Sequence, residues 1–274
     1  MTKNRKLFEE IEERSDHTRA SSIENVAIEQ TSWLSIWLWT LLVSLISLIL
    51  VGGWTRLTDS GLSIVEWKPI TGMIPPFNSE GWIAEFEKYK NIPEFKLVNF
   101  DITMDEFKFI YWWEWGHRQL ARFIGLVWFV GFLILWIMRQ IPERWTLYFF
   151  GIGLLGALQA FLGWWMVSSG LNGQVVDVFS YRLAIHLTMA FIILALIFWA
   201  ILFHSENSAK IFESRRYRNK FSVNVLAGLG VLCYVQLALG ALVAGIDAGR
   251  AYNDWPLMNG NWIPVDLFEY EPFI

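Results

Sequence analysis

The sequence predicts an all-α polytopic membrane protein, with one four-helix transmembrane bundle plus the first helix of a second, repeated four-helix unit. Composition is the first observation: 54% of the 274 residues are hydrophobic and only 18% are charged, with 17 Trp and 21 Phe, unlike a soluble domain. The second is that the apolar residues form blocks long enough to cross a bilayer as helices. Five such blocks are predicted, at about 33–53, 118–138, 147–167, 183–203 and 223–244.

The predicted domain organisation follows these blocks. Residues 1–32 are polar and rich in acidic side chains, which a signal or transit sequence avoids, so they are predicted to form a cytoplasmic tail. Residues 33–204 are predicted to be the first four-helix half, with a large outer loop at 54–117. Residues 205–274 are predicted to comprise a cytoplasmic linker, the fifth transmembrane helix and the outer loop of an incomplete second half.

The distribution of Lys and Arg predicts the orientation. The N-terminal tail and the linkers after the second and fourth blocks are basic, whereas the linker from 168 to 181 contains neither Lys nor Arg. Basic linkers stay on the cytoplasmic side. The N-terminus is therefore predicted inside, and segments 54–117, 168–182 and 246–274 outside. The lipid bilayer is the first predicted partner, and no nucleic-acid partner is predicted. A single cysteine, Cys233, excludes an intrachain disulfide and a cysteine metal cluster.

An internal repeat relates the segments that follow the first and fifth blocks. Five pairs of residues are separated by 188 positions: Asp59 and Asp247, Gly61 and Gly249, Glu66 and Asp254, Trp67 and Trp255, and Gly72 and Gly260. The spacing predicts a repeating unit of four helices. Such copies have the same orientation, which disfavours a transporter built on inverted repeats. Counterparts of Glu114 and His117 would fall near positions 302 and 305, so the chain is expected to be truncated at its C-terminus.

The candidate site lies where the second block is predicted to begin. Glu114, His117 and Arg118 share one helical face at spacings of three and four, and Arg122 extends it. Ionisable groups in or near hydrocarbon normally face a protein interior, a partner charge or a cofactor. Glu114 is the predicted catalytic residue, either as a base or as a group that stabilises positive charge; the sequence leaves the two open.

Two of the four histidines are predicted to bind a metal. Under the predicted topology His117 and His186 lie at matched depth near the outer ends of two helices, whereas His17 and His204 lie in or beside cytoplasmic segments. Two imidazoles are too few for a closed zinc site. Haem supplies four equatorial nitrogens itself and takes axial ligands from the protein, most often histidine. The pair is therefore predicted to ligate a haem iron.

The surrounding basic and aromatic residues admit two interpretations each. Arg118 and Arg122 could bind haem propionates, or they could form an ion pair with Glu114 or extend toward the membrane surface. Arg56 and Arg182 have the same ambiguity. Six aromatic residues near the site could pack on a macrocycle or form an interfacial belt: Trp112, Trp113, Trp115, Trp164, Trp165 and Tyr181.

Several motifs together resemble the haem A synthase (Cox15/CtaA) family, of the mitochondrial and alphaproteobacterial type. The motifs are Glu114-Trp115-Gly116-His117-Arg118 with Ala121-Arg122-Phe123-Ile124-Gly125, Thr55-Arg56-Leu57-Thr58-Asp59-Ser60-Gly61-Leu62-Ser63, Glu66-Trp67-Lys68-Pro69-Ile70-Thr71-Gly72, and Asp254-Trp255-Pro256-Leu257-Met258-Asn259-Gly260. The resemblance covers nearly all of residues 33–270.

This resemblance implies an eight-helix inner-membrane protein of two four-helix halves, each with a histidine pair. Such enzymes oxidise the C8 methyl group of haem O to a formyl group, giving haem A for cytochrome c oxidase. The family's catalytic glutamate and substrate-side histidines match Glu114, His117 and His186. The second half would hold haem b on histidines that have no counterpart in this chain. Implied partners are haem O synthase, an electron-transfer protein and a second copy of the chain. The outer loop lacks the cysteine pair of some bacterial members.

An alternative function is a b-type electron-transfer or haem-carrying membrane protein. That function would need His117 and His186 but not Glu114. Product analysis separates the two, because formyl haem is formed only by an enzyme.

Overall fold

The computed structural model describes residues 33–171, 176–205, 213–214, 216–252 and 254–263. Within these ranges the regular secondary structure is helical, and loops and turns connect the helices. Within these ranges five helices are long and apolar enough to cross a membrane, which confirms the predicted fold class. They are α1 (Trp33–Leu57), α4 (Met104–Ile137), α5 (Glu143–Leu171), α6 (Ser180–Ser205) and α7 (Lys220–Gly245). The predicted tail at 1–32 and most of the linker at 205–216 lie outside the described residues, and the domain division stays a prediction.

Short elements lie between α1 and α4 and after α7. They are a 3₁₀ turn at Thr71–Met73, α2 (Ser79–Tyr89), α3 (Pro93–Leu97) and α8 (Ala248–Ala251). Asn78 caps α2 by accepting a hydrogen bond from the Gly81 amide at 2.9 Å. Pro93 starts α3, where a missing N–H costs nothing.

Two predicted helix ends were wrong. Helix α4 begins at Met104 rather than Arg118, because Thr103 and Glu106 form a capping box: Glu106 accepts hydrogen bonds from the Thr103 amide and hydroxyl, and the Glu106 amide donates back to the hydroxyl. Glu114 therefore lies well inside the helix. Helix α1 was predicted to end at Gly52-Gly53 but continues to Leu57.

The chain divides into two compact units, and the first comprises Met1–Leu50, Gln119–Ala157 and Ile193–Tyr217. Its helices pack through tryptophan and glycine. The indole of Trp37 donates to the Val127 carbonyl at 3.0 Å, and a Cβ atom at Gly131 would lie 2.2 Å from that indole. Small residues allow helices to approach closely in membrane proteins.

The second unit comprises Val51–Arg118, Leu158–Ile192 and Arg218–Ile274. Helices α2 and α3 and the start of α4 enclose an aromatic core centred on Tyr89 and Phe107, both fully buried. The repeat predicted at a spacing of 188 is visible here. Helices α1 and α7 end at equivalent positions, and Asp59 and Asp247 then adopt the same left-handed conformation, with φ of 48° and 50°.

Arg56 connects the two copies of this motif. Its guanidinium donates to the carbonyl of Ala244, the residue 188 positions later, and to the carboxylate of Asp247, both at 2.9 Å. The same group pairs with Asp59 at 2.9 Å. The equivalent ends of α1 and α7 therefore lie side by side in the second unit.

Candidate functional site

Glu114 is buried in α4, with 3% of its surface exposed. One carboxylate oxygen, Oε2, accepts hydrogen bonds from the Ser63 hydroxyl and the Ile64 amide, each at 2.7 Å. The other, Oε1, accepts from Nη2 of Arg118 at 2.5 Å. A buried carboxylate is costly unless it is paired and hydrogen-bonded, and these three donors meet that requirement.

Arg118 joins α4 to the loop that follows α1. Besides its bond to Glu114, one turn earlier on the helix, its guanidinium donates to the carbonyls of Ile64 at 2.9 Å and Glu66 at 3.1 Å. It also lies 5.7 Å from the ring centroid of Trp67. Of the two interpretations offered for Arg118, the structure contains the ion pair with Glu114. Binding of a propionate stays a prediction.

His117 lies beside α1 at the glycine pair. A Cβ atom at Gly52 would lie 3.0 Å from Nε2 of His117, which is closer than a side chain normally tolerates. The absence of a side chain at Gly52 therefore makes room for the imidazole. His117 as a whole residue is only partly buried.

His186 lies on α6 against the helix α5. A Cβ atom at Gly163 would lie 2.8 Å from Cε1 of the ring, so this imidazole too occupies the space left by a glycine. The side-chain amide of Gln159 donates to the His186 carbonyl at 3.0 Å and lies 3.4 Å from the ring Nε2. The ring Nδ1 is buried and has no hydrogen-bond partner among the described residues.

The two imidazoles belong to the same unit. In the described part of the chain, no group of three or more His, Cys, Asp or Glu side chains could enclose a metal ion. A site with two imidazoles suits a metal that brings most of its own ligands, as haem iron does.

The other predicted residues have different surroundings. Arg122 lies in the first unit, and its predicted contact with a propionate stays a prediction. Arg182 donates to the Trp165 carbonyl at 2.7 Å and lies 4.4 Å from that ring's centroid. His204, also in the first unit, forms a hydrogen bond with the Ala200 carbonyl and packs against Trp145. His17 lies outside the described residues.

A second buried carboxyl, which the sequence did not single out, lies on α3. Glu94 is 6% exposed, and its Oε2 has no hydrogen-bond partner in the described ranges. Burial, assisted by the negative charge of Glu114, raises the pKa of Glu94 to about 8. Sequence analysis also missed Ser63 and Gln159. Ser63 lies within a motif that carried the family resemblance, which was the available signal; Gln159 had none.

Glu114, His117 and His186 together define a class: multi-pass membrane proteins with an acid and an imidazole pair inside the lipid-spanning region. Comparison with known proteins identifies the family. Residues 35–274 match the model of the COX15-CtaA family, described as cytochrome oxidase assembly protein. The chain belongs to this family. No solved structure shows significant similarity to it.

Curated relatives are similar over nearly the whole chain. Heme A synthase of Dinoroseobacter shibae is 48% identical over 278 residues, covering 99% of this chain and 72% of the relative. Heme A synthase of Cereibacter sphaeroides is 47% identical, covering 97% and 68%. Heme A synthase of Paracoccus denitrificans is 51% identical, covering 86% and 62%. The chain thus spans roughly two thirds of the length of these relatives.

Proposed function

We propose that this multi-pass membrane protein is an oxidoreductase of haem A formation, which converts the C8 methyl group of haem O to a formyl group. Membership of the COX15-CtaA family and the relatives named heme A synthase support this function. The single observation that carries the mechanism is the buried Glu114, held by three donors three residues before His117. The relatives named heme A synthase do not favour the alternative of a haem carrier without catalysis.

His117 and His186 would hold the substrate haem by its iron. Each imidazole occupies a space that a Cβ atom on the neighbouring helix would fill, at Gly52 and Gly163. Both histidines lie within one unit, and each is partly buried as a whole residue. These features fit a flat group that asks the protein for two axial nitrogens. The haem b assigned by the resemblance to the second four-helix repeat stays a prediction.

Bound haem O would supply the methyl group and a ring system able to pass electrons onward. Converting that methyl to a formyl group removes four electrons and releases protons. Glu114, already acting as an acceptor for three donors, is the group of this chain that can take a proton or stabilise positive charge beside His117. Arg118 and Ser63 fix the carboxylate in position, so its geometry is set before the substrate arrives.

Replacement of Glu114 tests the catalytic role. The Glu114→Gln variant, produced in cells that make haem O but lack another haem A synthase, should still bind haem O while haem A falls by about 10²-fold. The matched control is Asp105→Asn, since Asp105 lies on the same helix with its side chain 93% exposed. Extracted haems are separated by chromatography. Undiminished haem A from the Glu114→Gln variant would refute the role.

A glycine substitution tests the ligand role without using activity. In Gly163→Ala the added methyl would meet the ring of His186, whereas Gly156 on the same helix has open space. Gly163→Ala should weaken the binding of haemin to the purified protein, as measured by absorbance of the six-coordinate form, and Gly156→Ala should not. Equal affinity of both variants and the wild type would contradict the assignment of His186.

Location and partners are proposed from the basic linkers and the resemblance. We propose an inner-membrane protein with its N-terminus in the cytoplasm, working with haem O synthase and an electron-transfer protein, and able to form homo-oligomers. Protease protection of an epitope tag at the N-terminus in inverted and right-side-out vesicles tests the orientation. Cleavage of that tag only from the outer face would contradict it.

A further inference from the structure

Helix α5 provides the surface on which the imidazole of His186 lies. Gln159 and Gly163 are one helical turn apart, and both face this ring. The side-chain nitrogen of Gln159 is 3.0 Å from the His186 carbonyl oxygen and 3.4 Å from the ring Nε2. One glutamine side chain therefore contacts both the backbone and the ring of the same histidine.

The carbonyl contact fixes which way the amide points. A carbonyl oxygen only accepts hydrogen bonds, so the Gln159 atom beside it must be the NH₂ group; the reversed amide would place two acceptors face to face. The second hydrogen of that NH₂ is available to the ring Nε2 of His186. A donor there requires a lone pair on Nε2, so the ring proton belongs on Nδ1.

We propose that Gln159 is a positioning residue that holds His186 in the tautomer with the free lone pair on Nε2, ready to bind iron. This inference rests on the proposed function of His186 as a haem ligand. The 3.4 Å contact is longer than an ordinary hydrogen bond, so it is readily given up when the lone pair is used for coordination. The 3.0 Å bond to the carbonyl can remain and keep the residue in place.

The chemistry of the amide, rather than its size, is what this role requires. The NH₂ group of an uncharged amide can donate from one atom to two acceptors, the carbonyl and the ring nitrogen. Gln159→Met keeps a side chain of similar length but removes both donors. Gln159→Glu keeps the shape and offers an acceptor in place of a donor, which favours a proton on Nε2, the wrong tautomer for iron.

The tautomer is measured first, on haem-free protein in lipid with ¹⁵N-labelled histidine. The signal of His186, identified by its loss in His186→Ala, should report a protonated Nδ1 and a bare Nε2 in the wild type. In Gln159→Glu the protonated nitrogen should be Nε2. A wild-type ring protonated on Nε2 would overturn the inference. The tautomer is read on the wild-type chain, so this result does not depend on the folding of the Gln159 variants.

Haemin titration then tests the consequence for coordination. Loss of a partner that orients a metal ligand typically weakens metal binding 10- to 100-fold. The apparent affinity of the six-coordinate low-spin form should fall about tenfold in Gln159→Met and further in Gln159→Glu. The control is Gln236→Met, which changes an exposed glutamine on α7. A role in packing alone predicts the opposite order, with the Glu variant closer to the wild type, and that order would refute the positioning role.

The two proposals fail in distinguishable ways. If His186→Ala binds haemin as tightly as the wild type, His186 is not the ligand and the proposed function fails at this residue. If His186→Ala weakens binding but Gln159→Glu does not, the ligand assignment stands and only the positioning role of Gln159 is refuted.

Discussion

Two glutamates are buried in the second unit to nearly the same extent, yet their surroundings differ. Glu114 is 3% exposed and Glu94 is 6% exposed. Both oxygens of Glu114 accept hydrogen bonds, and one of them pairs with Arg118. Glu94 accepts from the Asn99 amide at 3.3 Å through Oε1, while its Oε2 has no hydrogen-bond partner among the described residues.

The difference shows that partners, rather than depth, decide what a buried carboxyl can do. Removal from water favours the neutral acid, and with the negative charges of Glu114, Asp177 and Asp59 it raises the pKa of Glu94 to about 8. Glu114 has a guanidinium and two further donors directed at it, and these donors favour the charged form. A charged carboxylate can take up a proton or stabilise a cation, which is the chemistry proposed for Glu114.

Removing the cation should have the largest effect on stability. Arg118→Met would leave the Glu114 carboxylate buried without a counter-charge and would remove the donors to the Ile64 and Glu66 carbonyls. Breaking a buried pair from one side costs about 3–5 kcal/mol. The measurement is unfolding in detergent, followed by loss of helical signal.

A matched control and a double variant define that result. Lys90→Met breaks the exposed pair with Glu87 and should cost under about 1 kcal/mol. Adding Glu114→Gln to Arg118→Met should recover much of the loss, because the unpaired charge is gone. If Arg118→Met lowered the free energy of unfolding no more than Lys90→Met does, the ion pair with Arg118 would not distinguish Glu114 from Glu94.

Glu94 should make stability depend on pH. Its folded-state pKa of about 8 exceeds the ordinary value of 4.5, so the folded protein binds the extra proton between these limits. The stabilisation is therefore fully present below about pH 4.5 and is lost as pH rises to about 8, on the order of 1 kcal/mol per pH unit. Glu94→Gln should remove this slope, as measured by unfolding at fixed temperature across pH 4–9.

The control for the pH effect is an exposed acid nearby. Glu87→Gln changes a carboxylate on α2 that is 60% exposed, and the slope should persist in that variant. A slope that survives in Glu94→Gln would mean that another group accounts for the pH dependence.

Ser63 should have an intermediate effect. Ser63→Ala removes one of three donors to Glu114 and leaves the Ile64 amide and Arg118 in place. Losing a hydrogen bond to a buried charged group costs about 1–3 kcal/mol. The comparison variant is Ser47→Ala, whose hydroxyl bonds its own helix at Val43 and whose removal should change stability by less than about 0.5 kcal/mol. Equal unfolding midpoints for the two variants would show that Ser63 does not support Glu114.

The sequence alone was enough to single out Glu114, His117 and His186 as candidates, because an ionisable side chain is conspicuous within an apolar block. Arg118 was equally visible at a spacing of four from Glu114. Ser63 and Gln159 were not predicted, because their importance depends on which loop and which helix pack beside the site. Such contacts join residues 51 and 27 positions apart, and local pattern carries no information about them.

Helix ends show a similar limit. Hydropathy identified each membrane span but not the start of α4. The first turns of α4 contain charged residues and pack beside α2 and α3. The Thr103 and Glu106 capping box was a local signal for that start. The glycine pair at 52–53 was interpreted as a helix end, although Gly52 instead accommodates the ring of His117. A glycine in a helix can mark a close approach of another side chain as well as the end of the helix, and only the packing distinguishes the two.

The smallest expected effect is that of Tyr89, whose hydroxyl influences the pKa of Glu94. Asn99 donates to the Tyr89 hydroxyl at 2.9 Å and to Oε1 of Glu94 at 3.3 Å, and the nearby hydroxyl lowers the pKa of Glu94 against the stronger effect of burial. Tyr89→Phe should cost about 0.5–1.5 kcal/mol and should move the upper end of the pH slope above pH 8. Tyr111→Phe, in the same core, should leave that end unchanged. A shift to lower pH in Tyr89→Phe would show that the hydroxyl opposes ionisation of Glu94 rather than assisting it.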